Sequence, residues 1–314
     1  MAEHDLIYKK LFSHVEMLRD LLMGFVEQDW VKEADFSTLE RVSGSHVSDD
    51  LRERHNDMIW RVQLSNGECV YVYLLLEFQS TVDPFMAARL LTYVGLLYQD
   101  LIRTKPSICR LPAVFPLVLY NGDRPWKAAL SVRDLIQPLP EALQRYQPQL
   151  VFWLIDETRY AFSDLNQKQN WVAALIQIEN SEQPAELEQV VNRLANGLQR
   201  PEQADLRQAF TEWLVRVVLP RRFPGQELEP MHNLMEVETM LNKRVPEWTR
   251  NWKEAGMEAG RQAGRQEGRQ EGRQEGQKEA TRHIAQQMLA NGITRAVVKT
   301  CTGLSDEELD KLLH

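Results

Sequence analysis

Two carboxylates and an amide flank a predicted β-hairpin, and their types suit metal binding. Asp57 lies early in the first of two runs of strand-forming residues, Glu77 lies late in the second, and Gln79 follows two residues on. Asn66-Gly67 separates the runs and is a strong hairpin signal. If the second strand folds back on the first, both acids reach the same end of the hairpin.

The hairpin register decides whether the two acids share a face of the sheet, because a slip of one residue turns every side chain over. A two-residue loop at Asn66-Gly67 places Asp57 opposite Leu76, with Glu77 on the other side. A three- or five-residue loop centred on Gly67, or a bulge, places Asp57 directly opposite Glu77. We predict the odd-numbered loop or the bulge. The face shared with the acids then also carries Tyr71, Tyr73, Leu75 and Gln79.

Such a cluster has the chemistry for metal-assisted cleavage of a phosphodiester. Carboxylates and a backbone carbonyl are hard oxygen ligands for Mg²⁺, which keeps several waters and accepts a substrate phosphate. Gln79 can orient a water by hydrogen bonding, but an amide is no base at neutral pH. The plainer alternative is that Asp57 caps a strand and that Glu77 is a solvated strand end.

The hairpin motifs resemble those of a known family. The chain is similar to the Rpn family of recombination-promoting nucleases, also called YhgA-like transposases, in the PD-(D/E)XK nuclease superfamily. The matching pieces are Asn56–Trp60 with Leu74–Ser80, the opening segment His4–Phe12, the segment Pro116–Gly122, and the Gly-Arg-Gln-Glu repeats. The resemblance covers most of the chain.

The resemblance implies an α/β fold, with a PD-(D/E)XK core of mixed sheet flanked by helices and a helical C-terminal extension. Asp57 and Glu77 match the metal-binding acids, and Gln79 stands where the superfamily motif has Lys. Asp5 is a candidate third acid, although a helix N-cap explains it as well.

The activity implied by the resemblance is a metal-dependent DNA endonuclease. We expect Mg²⁺ as the cofactor, with Mn²⁺ and Ca²⁺ as alternatives, and DNA as the partner, in recombination or in defence against phage. The rival hypothesis is a nuclease-like scaffold that no longer cuts and acts through a C-terminal association segment. Arg89 can reach a phosphate, or it forms a surface salt bridge.

Composition bounds the class of protein. The 314 residues carry a net charge of −8, which argues mildly against a polyelectrolyte that binds nucleic acid over its whole surface. Cys69, Cys109 and Cys301 are far apart and lack metal-ligand spacing. No apolar run is long enough to span a membrane, and the N-terminus lacks a secretion signal. We therefore expect a cytoplasmic protein without a membrane partner.

We predict four regions: a core over 1–160, which the resemblance implies is the nuclease core, a helical subdomain packed on it (161–250), the repeat (251–280) and a small helical interaction module (281–314). The core has a helix pair over 4–30 and a polar segment without periodicity over 31–52, in which Ser43–Asp50 indicates a loop or edge. A helix follows with Asp83 as its N-cap and Pro84 as its first residue, and it runs to about Arg103. Buried strands follow at 113–120 and 149–155. Pro116 would normally confine the first of these to a sheet edge or a bulge.

The repeat places a glycine at every fourth position from Gly256 to Gly276. Its regular spacing stacks like charges four residues apart, and each interior glycine costs a helix up to ~1 kcal/mol. The segment is either a flexible linker or a helix in self-associating chains. We favour the helix, and hence a homo-oligomer formed through the repeat and the C-terminal tail.

The tail resembles a helix-turn-helix unit, with a capping box at Ser305–Glu308 opening its last helix. That helix is acidic and would repel a phosphate backbone. The sequence therefore favours an interaction module over a DNA reader.

Overall fold

A computed structural model describes residues 2–42, 57–77, 82–138, 140–226 and 229–311. The chain divides into two compact units, Met1–Pro246 and Glu247–His314. Among the described residues, no helix is both long enough and apolar enough to cross a membrane.

The first unit is built on a five-stranded mixed sheet in the order β1-β2-β3-β4-β5. The strands are β1 (Ala34–Arg41), β2 (Asp57–Leu64), β3 (Cys69–Glu77), β4 (Ala113–Tyr120) and β5 (Trp153–Asp156). Strands β1, β2 and β3 pair antiparallel, whereas β3, β4 and β5 pair in parallel. The carboxyl ends of β3, β4 and β5 therefore meet at one edge of the sheet, together with the start of β2. We call this the carboxyl edge.

Helices cover both faces of the sheet. Among the described residues up to Arg222, the α-helices are α1 (Ala2–Leu11), α2 (Val15–Phe25), α3 (Asp29–Glu33), α4 (Met86–Thr104), α5 (Glu141–Gln144), α6 (Phe162–Leu165), α7 (Trp171–Asn180), α8 (Pro184–Gly197), α9 (Ala204–Trp213) and α10 (Leu219–Arg222). A π-helical turn, Leu214–Val218, joins α9 to α10. Helix α4 packs its apolar stripe on the face that carries Tyr71, Tyr73 and Leu75. Helix α1 contacts β3 and α9, and α2 contacts β1 and α7.

The structure adds a strand that the sequence did not predict, and it confirms residues 113–120 as an interior strand despite Pro116. Residues 34–41, within the polar segment, form the edge strand β1 and bury Leu39. The loop or edge predicted at Ser43–Asp50 lies outside the described residues. Pro116 lies in β4, which has a strand on each side. Strand β5 pairs only with residues from Leu117 to Tyr120, so Pro116 lies beyond the end of β5. At that position β4 has a partner only on the β3 side, which is where a strand tolerates proline.

The second unit contains most of a long helix, α11 (Leu234–Ala290), which begins in the first unit and includes the whole glycine repeat. The repeat is therefore helical. Two short helices follow, α12 (Arg295–Thr302) and α13 (Asp306–Asp310). Ala285 of α11, Val298 of α12 and Leu309 of α13 form a small core that the three helices share. The predicted capping box is present, since Ser305 Oγ accepts from Glu308 N and Glu308 Oε2 accepts from Ser305 N.

Candidate active site at the carboxyl edge of the sheet

The hairpin loop that sets the register has three residues, Ser65 to Gly67. Leu64 N donates to Glu68 O at 2.7 Å, and Gly67 N donates to Leu64 O at 2.8 Å. Gly67 takes a φ of +83°, the left-handed conformation that closes a three-residue loop after a tight turn. The odd-numbered loop was predicted correctly, but its centre is Asn66 and not Gly67. The pairing is therefore shifted along β3.

Asp57 pairs with Leu75 and not with Glu77, so the predicted directly opposite placement is wrong. Leu75 and Glu77 are two residues apart, and alternate residues of a strand share a face. Position 57 therefore belongs to the same alternate row as Glu77, offset diagonally by two residues. Diagonal neighbours in an antiparallel pair are about 7–8 Å apart, a gap that long side chains bridge. The side chain of Asp57 lies outside the described part of the chain.

Glu77 is a buried carboxylate held by an arginine. Only 4% of Glu77 is exposed. Its Oε2 accepts from Arg89 Nη2 at 2.7 Å, and Arg89 Nη1 donates to Asp83 Oδ2 at 3.1 Å. Asp83 is fixed in turn, because its Oδ1 accepts from Phe85 N at 2.8 Å. The sequence predicted Asp83 as the N-cap and Pro84 as the first residue of this helix, but α4 begins at Met86 after Phe85. Asp83 instead holds Arg89, in the first turns of α4, beside the end of β3.

The electrostatics of this pair favour positive charge beside Glu77. Burial by itself lowers the pKa of Arg89, but the hydrogen bond and the charge of Glu77 outweigh it, and the net pKa is raised. Arg89 is therefore not the surface salt bridge considered above, since its partner is buried. Arg89 Nε is also buried and has no acceptor among the residues that the structure describes.

A second layer of polar side chains lies at the same edge, and we call it the edge network: Tyr8, Asn121, Glu157 and Glu179. Asn121 follows β4, and its backbone N–H donates to Glu77 O at 3.0 Å. Asn121 Nδ2 donates to Tyr8 Oη at 2.8 Å and to Glu157 Oε2 at 3.1 Å. Tyr8 Oη donates to Glu179. The network therefore connects α1, β4, β5 and α7.

Burial shapes the titration of this network. Burial and the charges of Glu179 and Asp156 raise the pKa of Glu157 well above its ordinary value. Burial, with the nearby charges of Glu179 and Glu157, likewise raises the pKa of Tyr8 well above its ordinary value.

Two predicted site residues remain, Asp5 and Gln79, and the structure describes only Asp5. Asp5 lies within the first turns of α1, which begins at Ala2, so the N-cap interpretation is wrong. It precedes Tyr8 by three residues, one helical turn. Gln79 lies outside the described residues.

The carboxylates at this edge are of the type that binds a divalent cation. The buried Glu77 supplies a hard oxygen ligand, but Arg89 already donates to its Oε2 and would compete with an ion for that atom. Mg²⁺ commonly uses one or two carboxylates and completes its shell with waters and phosphate oxygens. Within the described ranges, no group of three or more His, Cys, Asp or Glu side chains is arranged to hold a metal ion. The ion would therefore depend on Glu77, Asp57 and exchangeable ligands.

Sequence reasoning missed the edge network because its four members are spread over about 170 positions. A partial signal exists, since Asn121 directly follows β4 and Glu157 directly follows β5. Polar residues after neighbouring parallel strands meet at one edge, which is where open α/β sheets place ligands. Nothing in the spacing indicates Tyr8 or Glu179.

Comparison with known proteins identifies the family. Residues 2–208 match the family model described as "Putative transposase, YhgA-like", which is about two thirds of the chain. The chain belongs to this family. Residues 278–314 match the C-terminal helix-turn-helix domain of the Rpn/YhgA-like nuclease family. The helix-turn-helix interpretation therefore holds for the tail, where the acidic last helix had favoured an interaction module.

Several curated members of the family are similar to this chain. Recombination-promoting nuclease RpnD of Escherichia coli O157:H7 is 33% identical over 129 residues, 39% of this chain and 48% of the relative. RpnA of Escherichia coli strain K12 is 31% identical over 156 residues, 49% and 52% of the two chains. The inactive recombination-promoting nuclease-like protein RpnE of the same strain is 29% identical over 158 residues, 50% and 51%. The chain spans about half the length of these relatives. No solved structure matches it.

Proposed function

We propose that this chain is a metal-dependent DNA endonuclease with a PD-(D/E)XK core. The observation that carries the proposal is the buried Glu77 at the carboxyl edge. It lies in the same alternate row as Asp57 and is paired with Arg89. Membership of the YhgA-like family supports it, as do relatives named recombination-promoting nucleases.

In this proposal Asp57 and Glu77 hold Mg²⁺, with Mn²⁺ and Ca²⁺ as alternatives. The bound ion supplies an acidified water and neutralises charge on the phosphate oxygens. Arg89, about a third exposed, balances the charge of Glu77 and presents a donor toward the incoming phosphate. Gln79 would orient the attacking water through its amide, and Asp5 on α1 is the proposed third acid.

DNA is the proposed substrate, and the C-terminal helix-turn-helix domain is the proposed second contact with it. Recombination and phage defence are the proposed settings. We propose a cytoplasmic location, which agrees with a DNA substrate.

Nicking of a supercoiled plasmid tests the proposal. The wild-type chain is expected to nick it with Mg²⁺ or Mn²⁺ and to stop when the metal is chelated. Asp57→Ala and Glu77→Ala are expected to lose at least about a hundredfold in rate, since metal stabilisation of the transition state supplies several kcal/mol. Glu68→Ala changes an exposed acid at the other end of the hairpin and is the matched control. Equal cutting by all four proteins would remove this site.

A second candidate function is a scaffold that binds DNA without cutting it. Two observations favour it: a similar relative is named inactive, and Gln79 replaces the lysine of the superfamily motif. The same assay separates the candidates, because a scaffold binds the plasmid and leaves it intact with every metal. Joined products, rather than breaks alone, would indicate strand transfer of the transposase type.

We also propose that the repeat helix mediates self-association. In the helix, Gly260, Gly264, Gly268, Gly272 and Gly276 leave open space where a Cβ would lie, with no atom of the described residues within 4 Å. A second backbone can approach closely along such positions. Mass measurement of the full chain against one ending at Pro246 tests this, and an unchanged oligomer would exclude it.

A further inference from the structure

Asn121 is the member of the edge network that touches the candidate active-site strand itself. Its backbone N–H continues the β3–β4 ladder one step and fixes the carbonyl of Glu77 at 3.0 Å. Its side chain turns away from the ladder and reaches Tyr8 on α1 at 2.8 Å. One residue thus joins the strand that presents Glu77 to the helix that presents Asp5.

The chemistry of the contacts requires an amide at this position. The two hydrogens of Asn121 Nδ2 go to Tyr8 Oη and to Glu157 Oε2. Tyr8 Oη accepts one of these hydrogen bonds, and its own O–H donates to Glu179. Serine offers a single hydroxyl donor, and an ionised aspartate offers none, so neither reproduces the two contacts.

The neighbouring residues fix the path of the chain through Asn121. A Cβ added at Gly122 would lie 2.1 Å from Tyr120 Oη, so the tyrosine occupies the space that only glycine leaves free. Tyr120 Oη donates to Arg124 O at 2.8 Å, which closes the turn behind Asn121. Tyr120 is fully buried, so its ring has little room to shift. The turn Tyr120-Asn121-Gly122 therefore holds the amide in one orientation.

We propose that Asn121 is a positioning residue, which sets α1, with Asp5, against the end of β3, with Glu77, through the hydroxyl of Tyr8. The inference rests on the proposed nuclease function and assigns Asn121 and Tyr8 a part in it. Neither residue is a metal ligand. Their effect on cleavage passes through the relative placement of the acids, and displacements of about 1 Å cost up to a hundredfold in rate.

The test compares Asn121→Ser and Tyr8→Phe with a matched control, Asn180→Ser. Asn180 is also a partly buried asparagine beside Glu157, and its Nδ2 donates to the carbonyls of Glu157 and Tyr160 at 2.8 and 2.9 Å. Among the described residues, Asn180 forms no hydrogen bond with Glu77 or Tyr8. In the full chain, kcat and KM for plasmid nicking, the Mg²⁺ concentration at half-maximal rate, and Tm are measured. Amide hydrogen exchange of residues 2–11 is followed in parallel.

Asn121→Ser and Tyr8→Phe are expected to lower kcat by about tenfold or more, with KM for DNA little changed. Their double variant should be no worse than the poorer single variant, because both break one link. Both should speed exchange in α1. Asn180→Ser should lower Tm about as much as Asn121→Ser does. It should leave kcat unchanged, and it should leave the amides of α1 as protected from exchange as in the wild type. If Asn180→Ser lowers kcat as much as Asn121→Ser does, the role is structural and the inference is overturned.

The outcomes separate this inference from the proposed function. A wild-type chain that cuts, with Asn121→Ser cutting equally well, overturns only the inference. A wild-type chain that never cuts overturns the nuclease proposal, and hydrogen exchange then decides the link between Asn121 and α1. Unchanged exchange of α1 in Asn121→Ser and Tyr8→Phe would show that no such link exists.

Discussion

The ion pair between Glu77 and Arg89 gives a stability prediction that needs no metal and no DNA. Arg89→Met keeps most of the aliphatic stem but leaves the Glu77 carboxylate buried without its cation. The side chain of Glu77 is 6% exposed and that of Arg89 is 31% exposed. The pair thus lies nearer the buried than the exposed limit.

The expected magnitude follows from those exposures. Breaking a fully buried pair by removing one partner costs about 3–5 kcal/mol, whereas an exposed pair contributes about 0.2–1 kcal/mol. Because water partly screens Arg89, we expect Arg89→Met to lose about 2 kcal/mol of unfolding free energy. For a domain of this size, that loss corresponds to a fall of roughly 4–8 °C in Tm.

The assay is urea unfolding in the presence of a chelator, with Arg61→Met as the matched control. Arg61 has almost the same side-chain exposure, 32%, but its partner Glu40 is 57% exposed. Arg61→Met therefore leaves a carboxylate that water can solvate, and we expect a loss below about 1 kcal/mol. Adding Glu77→Gln to Arg89→Met should recover part of the loss. Equal losses for the two arginine variants would refute the buried-pair reasoning.

Two further predictions concern the residues behind the site. The pKa of Glu157 is raised in the folded state, so its contribution to stability is complete below the ordinary glutamate pKa. That contribution is lost as the pH rises and the unfolded chain ionises first. Glu157→Gln removes the titrating group. In urea unfolding, the free energy of unfolding of Glu157→Gln minus that of the wild type should therefore be larger at pH 8 than at pH 4.5. An equal difference at the two pH values would contradict the raised pKa. Gly122→Ala should lower the unfolding free energy by about 1–3 kcal/mol, because a Cβ overlaps the buried Tyr120 ring. Gly95→Ala, where no described atom lies within 4 Å of the added Cβ, should not be destabilised, and a loss equal to that of Gly122→Ala would contradict the overlap.

The general plan of the fold follows from local signals. Asn66-Gly67 and two runs of strand formers predict the hairpin, and Asp83-Pro84 with its apolar stripe predicts α4. The shared row of Asp57 and Glu77 depends only on the parity of the loop, which the odd-numbered prediction had right.

The exact pairing was out of reach because Gly67 has two suitable places in a loop. It can lie at the centre, or it can take the last, left-handed position, as it does here with a φ of +83°. Both place glycine where it is favoured, and they differ by two residues in register. Strand β1 was missed for a different reason, since its exposed and half-buried residues alternate without an apolar run.

The edge network shows where sequence reasoning ends. Tyr8 and Glu179 meet through a hydrogen bond that spans 171 positions. From the sequence, a tyrosine on an amphipathic helix is expected to pack in the core. A glutamate near the end of another helix is expected to be solvated. Only the packing of α1 and α7 at the carboxyl edge makes them partners.

Binding of Mn²⁺, followed by electron paramagnetic resonance in the wild-type chain, Asp57→Asn and Glu77→Gln, tests the central claim most directly. The claim is that these two acids share one divalent cation at the carboxyl edge. It predicts a site in the wild type that each substitution weakens at least about tenfold, since each removes one of two charged ligands. Unchanged Mn²⁺ affinity in both variants would contradict it.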